Sequence, residues 1–200
     1  MANRSYLYSS NLVPSPDISK DERRIVGISE WNYYVPIVFK ILLSGNPRKC
    51  RSSIWEFPEE VAIVGDYNQG ISHLFSFLDR LSNPAILPLR DDAREFLTAE
   101  ENRNSYFVLE CGEIFEMGDE PLAKQNCRLL AEIQNLDPIM EAAVAALSET
   151  HEQSPKSLGF FAKVLGAEPT LLKKEEPTEA IYSLGLGNWS NILYFDLRNP

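Results

Sequence analysis

Val61-Ala62-Ile63-Val64-Gly65 is the stretch of this sequence that most clearly predicts a buried β-strand. A short run of small and β-branched apolar residues is typical of a strand that is covered on both faces. The chain then passes through a loop at 66–70 into a predicted helix over 71–81, where apolar residues recur at helical spacing. A buried strand followed by such a helix predicts a sheet with helices packed against it.

The same patterns predict further elements on both sides of this unit. Strands are predicted at 4–9, 24–31 and 106–110, the last running on towards Met117. Helices are predicted at 35–43, 91–101, 122–136 and 138–149, the last two forming a hairpin across Asp137-Pro138. Segments 180–186 and 189–197 are predicted to form a two-stranded terminal unit. Because strands and helices do not alternate steadily, the predicted fold class is α+β, with a mixed or antiparallel sheet and several helices packed on it.

The length of 200 residues is sufficient for one sizeable core. We therefore expect a single α+β domain over residues 1–200. Proline and glycine punctuate the chain after Thr150, which suggests a soft boundary near 150–157. The C-terminal segment 158–200, with a short amphipathic piece at 158–165, is then expected to pack back onto the domain.

The composition predicts the cellular setting. No apolar run approaches the roughly 20 residues that cross a bilayer, and the N-terminus lacks the apolar region of a secretory signal. A cytoplasmic location without membrane attachment is the resulting expectation. The net charge of −10 also argues against nucleic acid as a partner, because an acidic surface repels phosphates.

Acidic charge is concentrated in the second half of the chain. Residues 1–100 carry 11 basic and 13 acidic side chains, whereas residues 101–200 carry 8 basic and 16 acidic ones. Within 110–152 there are ten acids against Lys124 and Arg128 alone. Such a field attracts basic protein surfaces.

The acidic run at 110–120 supports two interpretations. In the first, it is a solvated edge strand followed by the acidic first turn of a helix that starts near Leu122, where the helix dipole favours carboxylates. In the second, it is a landing surface for a basic protein, with interleaved apolar residues as anchors. The predicted partner-binding residues are Glu110, Glu113, Phe115, Glu116, Asp119 and Glu120, with Glu132 and Glu141 as a possible extension.

An enzyme or small-molecule site is the alternative hypothesis. His73 lies in a predicted helix just after the loop that begins at Asp66, and strand-loop-helix junctions do host acid/base pairs. The loop lacks the glycine spacing of a phosphate-binding motif, and the sequence contains no serine-nucleophile elbow. No catalytic residue is therefore predicted, and the chain is not expected to be an enzyme.

Metal and cofactor sites are not predicted either. The two histidines, His73 and His151, are far apart, and no His/Cys cluster has ligand spacing. The three cysteines, Cys50, Cys111 and Cys127, are widely spaced and are expected to be buried structural thiols. Core packing is likewise the expected role of Trp31, Trp55 and Trp189, and Arg48, Lys49 and Arg51 form a small basic group in a predicted loop.

Three segments carry a resemblance to a known family: residues 1–9 (Met-Ala-Asn-Arg-Ser-Tyr-Leu-Tyr-Ser), 27–33 (Gly-Ile-Ser-Glu-Trp-Asn-Tyr) and 185–190 (Gly-Leu-Gly-Asn-Trp-Ser). Together they resemble an uncharacterised family of bacterial cytosolic proteins, similar to the immunity proteins encoded beside polymorphic toxin and secretion-system effectors. The resemblance implies a protein that binds and blocks one cognate toxin. It carries over no catalytic residue.

The function predicted from these observations is a cytoplasmic immunity-type binding protein that occludes a basic cognate toxin with its acidic surface. The alternative is a small-molecule-binding protein or enzyme that uses the Asp66–His73 junction. A third possibility is a structural subunit of a larger assembly, which would form a stable homo-oligomer.

Overall fold

The computed structural model describes residues 3–18, 22–148 and 181–195 of the chain. The strands are β1 Arg4–Ser10, β2 Ile25–Asn32, β3 Arg48–Cys50, β4 Ala62–Asp66 and β5 Tyr106–Glu110. The α-helices of this part of the chain are α1 Ile37–Leu43, α2 Tyr67–Asp79, α3 Leu87–Thr98, α4 Gly112–Phe115, α5 Leu122–Ile133 and α6 Asp137–Ser148. Two 3-10 turns, Pro84–Ile86 and Glu100–Asn102, flank α3.

The five strands form one antiparallel sheet in the order β2-β1-β5-β4-β3. Strand β5 is central, and it places Leu109 opposite Leu7 of β1 and Ile63 of β4. This sheet with helices packed on it confirms the predicted α+β class. It also shows that β5 is not an edge strand, so the first interpretation of the acidic run is wrong for its strand portion.

The two faces of the sheet are covered differently. Leu7, Ile63 and Leu109 belong to the main core, where the helices pack. The next residues along the strands point the other way, since side chains alternate. On that second face Tyr8 and Val108 belong to a smaller core, which is covered by loop residues including Val13, Ile54 and Leu193. The loops over this face determine which strand residues reach the surface.

Helix α1 lies at the centre of the main core. All seven of its residues are buried, which agrees with a sequence that is apolar on most of the helix surface. Its C-terminal end packs directly on α2, where a Cβ at Gly70 would overlap the main-chain oxygen of Leu42. Glycine is therefore required at this position for the two helices to approach.

The edge of β2 is covered by the C-terminal part of the described chain. Trp189 forms an isolated antiparallel bridge with Ser29, and the main-chain N–H of Ser190 donates to the oxygen of Ile28 over 3.0 Å. The hydroxyl of Ser29 donates to the main-chain oxygen of Asn188 over 2.8 Å. These contacts satisfy hydrogen-bonding groups at an otherwise open sheet edge.

Several predicted elements are confirmed by the structure. The strands predicted at 4–9, 24–31 and 61–65 correspond to β1, β2 and β4, and the predicted helical hairpin corresponds to α5 and α6. Burial is confirmed for Cys50 and Cys111, but Cys127 is exposed because it lies on the outer face of α5. The soft boundary near 150–157 and the amphipathic piece at 158–165 lie outside the described residues.

Four local predictions are wrong. The loop expected at 66–70 is the first turn of α2, because this helix begins at Tyr67 directly after β4. Strand β5 ends at Glu110 and does not continue towards Met117, because residues 112–115 turn into the short helix α4. The basic group at 48–51 includes a strand, β3, which pairs with β4. Where the structure describes the terminal region, it contains the bridge at Trp189 and a helical turn at 181–182, not two paired strands.

None of the helices in the described part of the chain is long enough and apolar enough to span a membrane.

Candidate partner-binding surface

Glu110 does not lie on a surface. Its side chain is 0% exposed on the second face of the sheet. One carboxylate oxygen, Oε1, accepts the main-chain N–H of Ser53 over 2.6 Å and the hydroxyl of Tyr8 over 3.2 Å. Burial raises the pKa of this carboxyl, although these hydrogen bonds act in the opposite direction. Glu110 therefore anchors the loop that contains Ser53 and offers no contact to a partner in this conformation.

The group around Glu110 is a polar network inside the smaller core. The hydroxyl oxygens of Tyr8 and Ser53 are 2.7 Å apart and share a hydrogen bond, and Arg23 Nη1 donates to Ser53 Oγ over 2.5 Å. Glu110 Oε2 and Arg23 Nε are buried without a hydrogen-bond partner among the described residues. Burial also raises the pKa of Tyr8 well above its ordinary value, so the phenol is a proton donor in this network.

Phe115 also points inward. It is 5% exposed and belongs to the main core, since α4 turns its apolar side towards the helices. The exposed apolar side chain in this region is Met117, which lies two residues after the end of α4 and is 54% exposed.

Glu113 is held in place by β1. Its carboxylate accepts the hydroxyl of Tyr6 over 2.9 Å and the main-chain N–H of Arg4 over 2.9 Å. Burial, followed by the neighbouring carboxylate, raises the pKa of Tyr6. Glu113 is half-buried, so part of its charge faces solvent from a fixed position.

Glu116 and Asp119 are exposed, and Glu120 is neutralised locally. Glu120 forms ion pairs with Lys124 over 2.8 Å and with Arg128. These two bases lower the pKa of Glu120. The negative potential of this region therefore comes chiefly from Glu113, Glu116 and Asp119.

The possible extension of this face is also paired. Glu132 accepts the ammonium of Lys40 over 3.0 Å, and Glu141 pairs with Arg80 over 2.7 Å. Both acids therefore link helices within the fold. The negative charges of both acids are therefore compensated by Lys40 and Arg80 within the protein itself.

A cluster of aromatic side chains lies next to Glu113. Trp55 packs near Tyr6, with ring centroids 6.3 Å apart, and near Phe57 at 6.2 Å. The ring of Phe195 contacts both Tyr6 and Trp55, with centroid distances of 5.9 Å and 6.1 Å. Trp55 and Phe57 are half-buried and Phe195 is 37% exposed. We refer to Trp55, Phe57, Phe195, Glu113 and Glu116 as the Trp55 surface.

The close approach of Trp55 depends on Gly112. A Cβ at this glycine would lie 2.7 Å from the indole ring, which is too close for a real side chain. The sequence pattern predicted a core role for Trp55 and did not identify this cluster, because its members come from three distant parts of the chain. The only local signal is the spacing of two aromatic residues around Glu56.

A cleft of about 510 Å³ adjoins the cluster. It is lined by Trp55, Phe57 and the residues between and before them, together with Ser15 and Pro16 from the facing loop. Arg51 lies in the same wall and donates to the main-chain oxygen of Pro58. The cleft has apolar and polar walls in similar measure, as is common at sites of protein contact.

The residues of the alternative hypothesis have separate partners. Asp66 pairs with Arg48 over 3.6 Å, and His73 Nδ1 lies 2.7 Å from the hydroxyl of Ser44. His73 is exposed, and no hydrogen bond joins it to Asp66. A catalytic or ligand-binding role for this junction stays a prediction. In the described part of the chain there is no group of three or more His, Cys, Asp or Glu side chains arranged to hold a metal ion.

Comparison with known proteins identifies the family. The model of a family described as "Domain of unknown function (DUF7822)" matches residues 11–150, which is more than half of the chain, and the chain belongs to this family. No curated protein and no solved structure matches the chain. The matched region includes Trp55, Phe57 and α4, whereas Phe195 lies beyond it. The family description names no activity, and it does not mention immunity proteins or bacteria.

Proposed function

We propose that this member of the DUF7822 family is a binding protein that uses the Trp55 surface to cover a basic region of a partner protein. One observation carries the proposal: three partly exposed aromatic rings lie beside the carboxylate of Glu113, which is held in a fixed position. Glu113 is fixed by its bonds to Tyr6 and Arg4, and Tyr6 is itself in contact with Trp55. The anchors and the charge therefore form one continuous patch.

The two components of the patch have separate physical roles. Large aromatic rings bury much apolar area at little cost in side-chain entropy, and they are frequent hot spots of protein interfaces. Acidic side chains at the margin attract a basic surface from a distance and increase the rate of association. Glu116, exposed and about one helical turn beyond Glu113, supplies this marginal charge.

The finer proposal concerns the partner. The resemblance of the three sequence segments to immunity-protein families implies that the basic partner is a cognate toxin and that covering it blocks its activity. Electrostatic attraction between an acidic inhibitor and a basic active-site surface would support such a role. The acidic patch around α4, without Glu110 and Phe115, is the part of the originally predicted face that remains available for this contact.

The proposal can be tested by capturing partners of the tagged protein from its native host at low and high salt. Three variants accompany the wild type: Trp55→Ala, Glu116→Lys, and Glu100→Lys as a matched charge reversal at an exposed acid outside the Trp55 surface. We expect one stoichiometric basic protein that is held less well at high salt. Trp55→Ala and Glu116→Lys should reduce its recovery, and Glu100→Lys should not.

Two outcomes would overturn the proposal. The first is recovery of no partner by the folded wild-type protein. The second is recovery that is equal for all four proteins, since the contact would then lie elsewhere. If a partner is found, its activity in the presence of increasing amounts of this protein tests the toxin-blocking form directly.

A further inference from the structure

A second groove lies between α3, the following 3-10 turn and the C-terminal part of the described chain. Its volume is about 420 Å³. Its lining includes Asp92, Glu95, Phe96, Glu101, Asn102 and Trp189. None of them belongs to the Trp55 surface, so the groove is a separate site.

The three carboxylates of the groove are not paired. Asp92, Glu95 and Glu101 are exposed, and no described residue forms a hydrogen bond or ion pair with their side chains. The arginines of α3, Arg90 and Arg94, are engaged by Asp79 on α2. The groove is therefore lined by three carboxylates that no described residue neutralises through an ion pair.

The nearby guanidinium of Arg24 does not pair with any of the three groove carboxylates. Arg24 donates to the main-chain oxygens of Glu101 and Arg103 over 2.8 and 2.9 Å. Its guanidinium thus supports the turn that carries Glu101, and no ion pair joins it to the Glu101 carboxylate.

Two buried polar atoms of the groove residues lack partners among the described residues. Asn102 is 2% exposed, and while its Nδ2 donates to the main-chain oxygen of Phe96 over 2.8 Å, its Oδ1 accepts nothing. The indole N–H of Trp189 is also buried without an acceptor. Buried polar groups are nearly always paired in folded proteins, so this acceptor and this donor, on two residues that line the same groove, fit a ligand that offers both kinds of partner.

The aromatic wall restricts the chemistry of that ligand. Phe96 and Trp189 stack with ring centroids 5.8 Å apart and an interplanar angle of 25°. A cation that is both planar and rich in donors can lie against such rings while its N–H groups reach carboxylates. A guanidinium has this shape, whereas an ammonium is a compact and strongly hydrated point charge.

We infer that this groove binds an arginine side chain in a segment of a partner protein. The guanidinium donates to the carboxylates of the groove and to Asn102 Oδ1, and a main-chain oxygen of the same segment accepts the indole N–H of Trp189. The inference does not depend on the Trp55 surface.

The test is a titration of the full-length, ¹⁵N-labelled protein with acetyl-triarginine amide, followed by NMR at the indole N–H of Trp189. The signal is assigned with Trp189→Phe. We expect a saturable shift of this resonance. Acetyl-tricitrulline amide, which has a similar shape without the charge, should give no shift, and acetyl-trilysine amide should bind more weakly than triarginine.

A pair of neighbouring variants tests the position of the site. Glu101→Gln removes a charge that lines the groove, and Glu100→Gln removes an exposed charge that does not line it. We expect Glu101→Gln to weaken triarginine binding about twofold to fivefold, as for an exposed ion pair. Glu100→Gln should bind like the wild type.

The inference is overturned if the Trp189 resonance does not shift, if tricitrulline shifts it equally, or if the two variants bind triarginine with equal affinity. Equal binding of trilysine and triarginine would also overturn it, because the stacked rings would then have no role. None of these readouts depends on the Trp55 surface, so failure here and failure of the proposed function are distinguishable.

Discussion

Ser53 donates its main-chain N–H to the Glu110 carboxylate over 2.6 Å, and this bond ties the loop that carries Trp55 to the central strand of the sheet. The carboxylate is 0% exposed, and burial raises its pKa. The buried Glu110 carboxyl thus holds this loop against the sheet, whereas the rings of Trp55 and Phe57 in the same loop are half-buried at the surface. The stability of this arrangement should depend on pH.

The first prediction concerns the pH dependence of stability. Because the raised pKa means that the folded state holds the Glu110 proton more tightly than the unfolded chain, folding takes up a proton above the ordinary carboxyl pKa of 4.5. The contribution of this group is therefore fully present below 4.5 and is lost as the pH rises through the folded-state pKa. Glu110→Gln keeps an acceptor for Ser53 and never ionises.

We expect the stability of the wild type, relative to Glu110→Gln, to fall as the pH rises. Urea denaturation of both proteins at several pH values between about 4 and 8 measures this difference. A difference that stays constant with pH, or that changes in favour of the wild type, would contradict the prediction.

The second prediction uses two glycines near α4. Gly112→Ala places a Cβ 2.7 Å from the Trp55 ring, so the indole must move, and we expect a loss of about 1–3 kcal/mol of unfolding free energy. Gly118→Ala is the matched control, because its nearest contact would be an ordinary 3.6 Å to the Gln125 side chain. Its effect should stay within about 0.5 kcal/mol.

Denaturant unfolding and tryptophan fluorescence measure both effects. Gly112→Ala should also change the emission of the folded protein, because Trp55 becomes more exposed. Equal stability of the two variants would show that Trp55 does not pack on Gly112 as described.

The third prediction distinguishes charges that speed association from aromatic side chains that slow dissociation at the Trp55 surface, once its partner is available. Glu116→Lys should slow association about threefold to tenfold, with the effect disappearing at high salt. Trp55→Ala should instead speed dissociation by about tenfold or more, since an anchor acts on the bound state. Surface plasmon resonance at two salt concentrations measures both rate constants. An effect of Glu116→Lys that is confined to dissociation and indifferent to salt would contradict the steering role.

Much of the fold follows from local pattern. Strand β4, helix α1 and the α5–α6 hairpin were predictable because apolar periodicity, proline and glycine act within a few residues. Strand β3 was not, because three residues that include Arg48 and Lys49 form a strand only through pairing with β4. The strand order likewise depends on contacts between distant segments.

The candidate site was less predictable than the fold. Alternation along β5 places Glu110 on the same face as Val108, but nothing local shows that the loop at 51–58 and residues 193–195 cover that face. An acid that looked like part of a surface is therefore a buried anchor. For the same reason the aromatic cluster, assembled from β1, the 51–58 loop and Phe195, has no signature in any single stretch of sequence.

The last prediction concerns the ion pair that links α1 to α5. Lys40 is almost buried, with 9% of its side chain exposed, whereas the side chain of its partner Glu132 is 42% exposed. Removing the exposed acid leaves an ammonium in the core without a countercharge, so Glu132→Ala should cost about 1–3 kcal/mol. Removing the buried base with Lys40→Met keeps the packing and leaves Glu132 in water, so we expect a change within about 1 kcal/mol.

The double variant decides whether this asymmetry comes from the pair itself. In the Lys40→Met background no buried ammonium loses its countercharge, so Glu132→Ala should change the free energy of unfolding very little. Urea denaturation of the two single variants and the double variant completes the cycle. If Glu132→Ala costs the same with and without Lys40, the loss arises from α5 alone, and the pair does not stabilise the contact between the two helices.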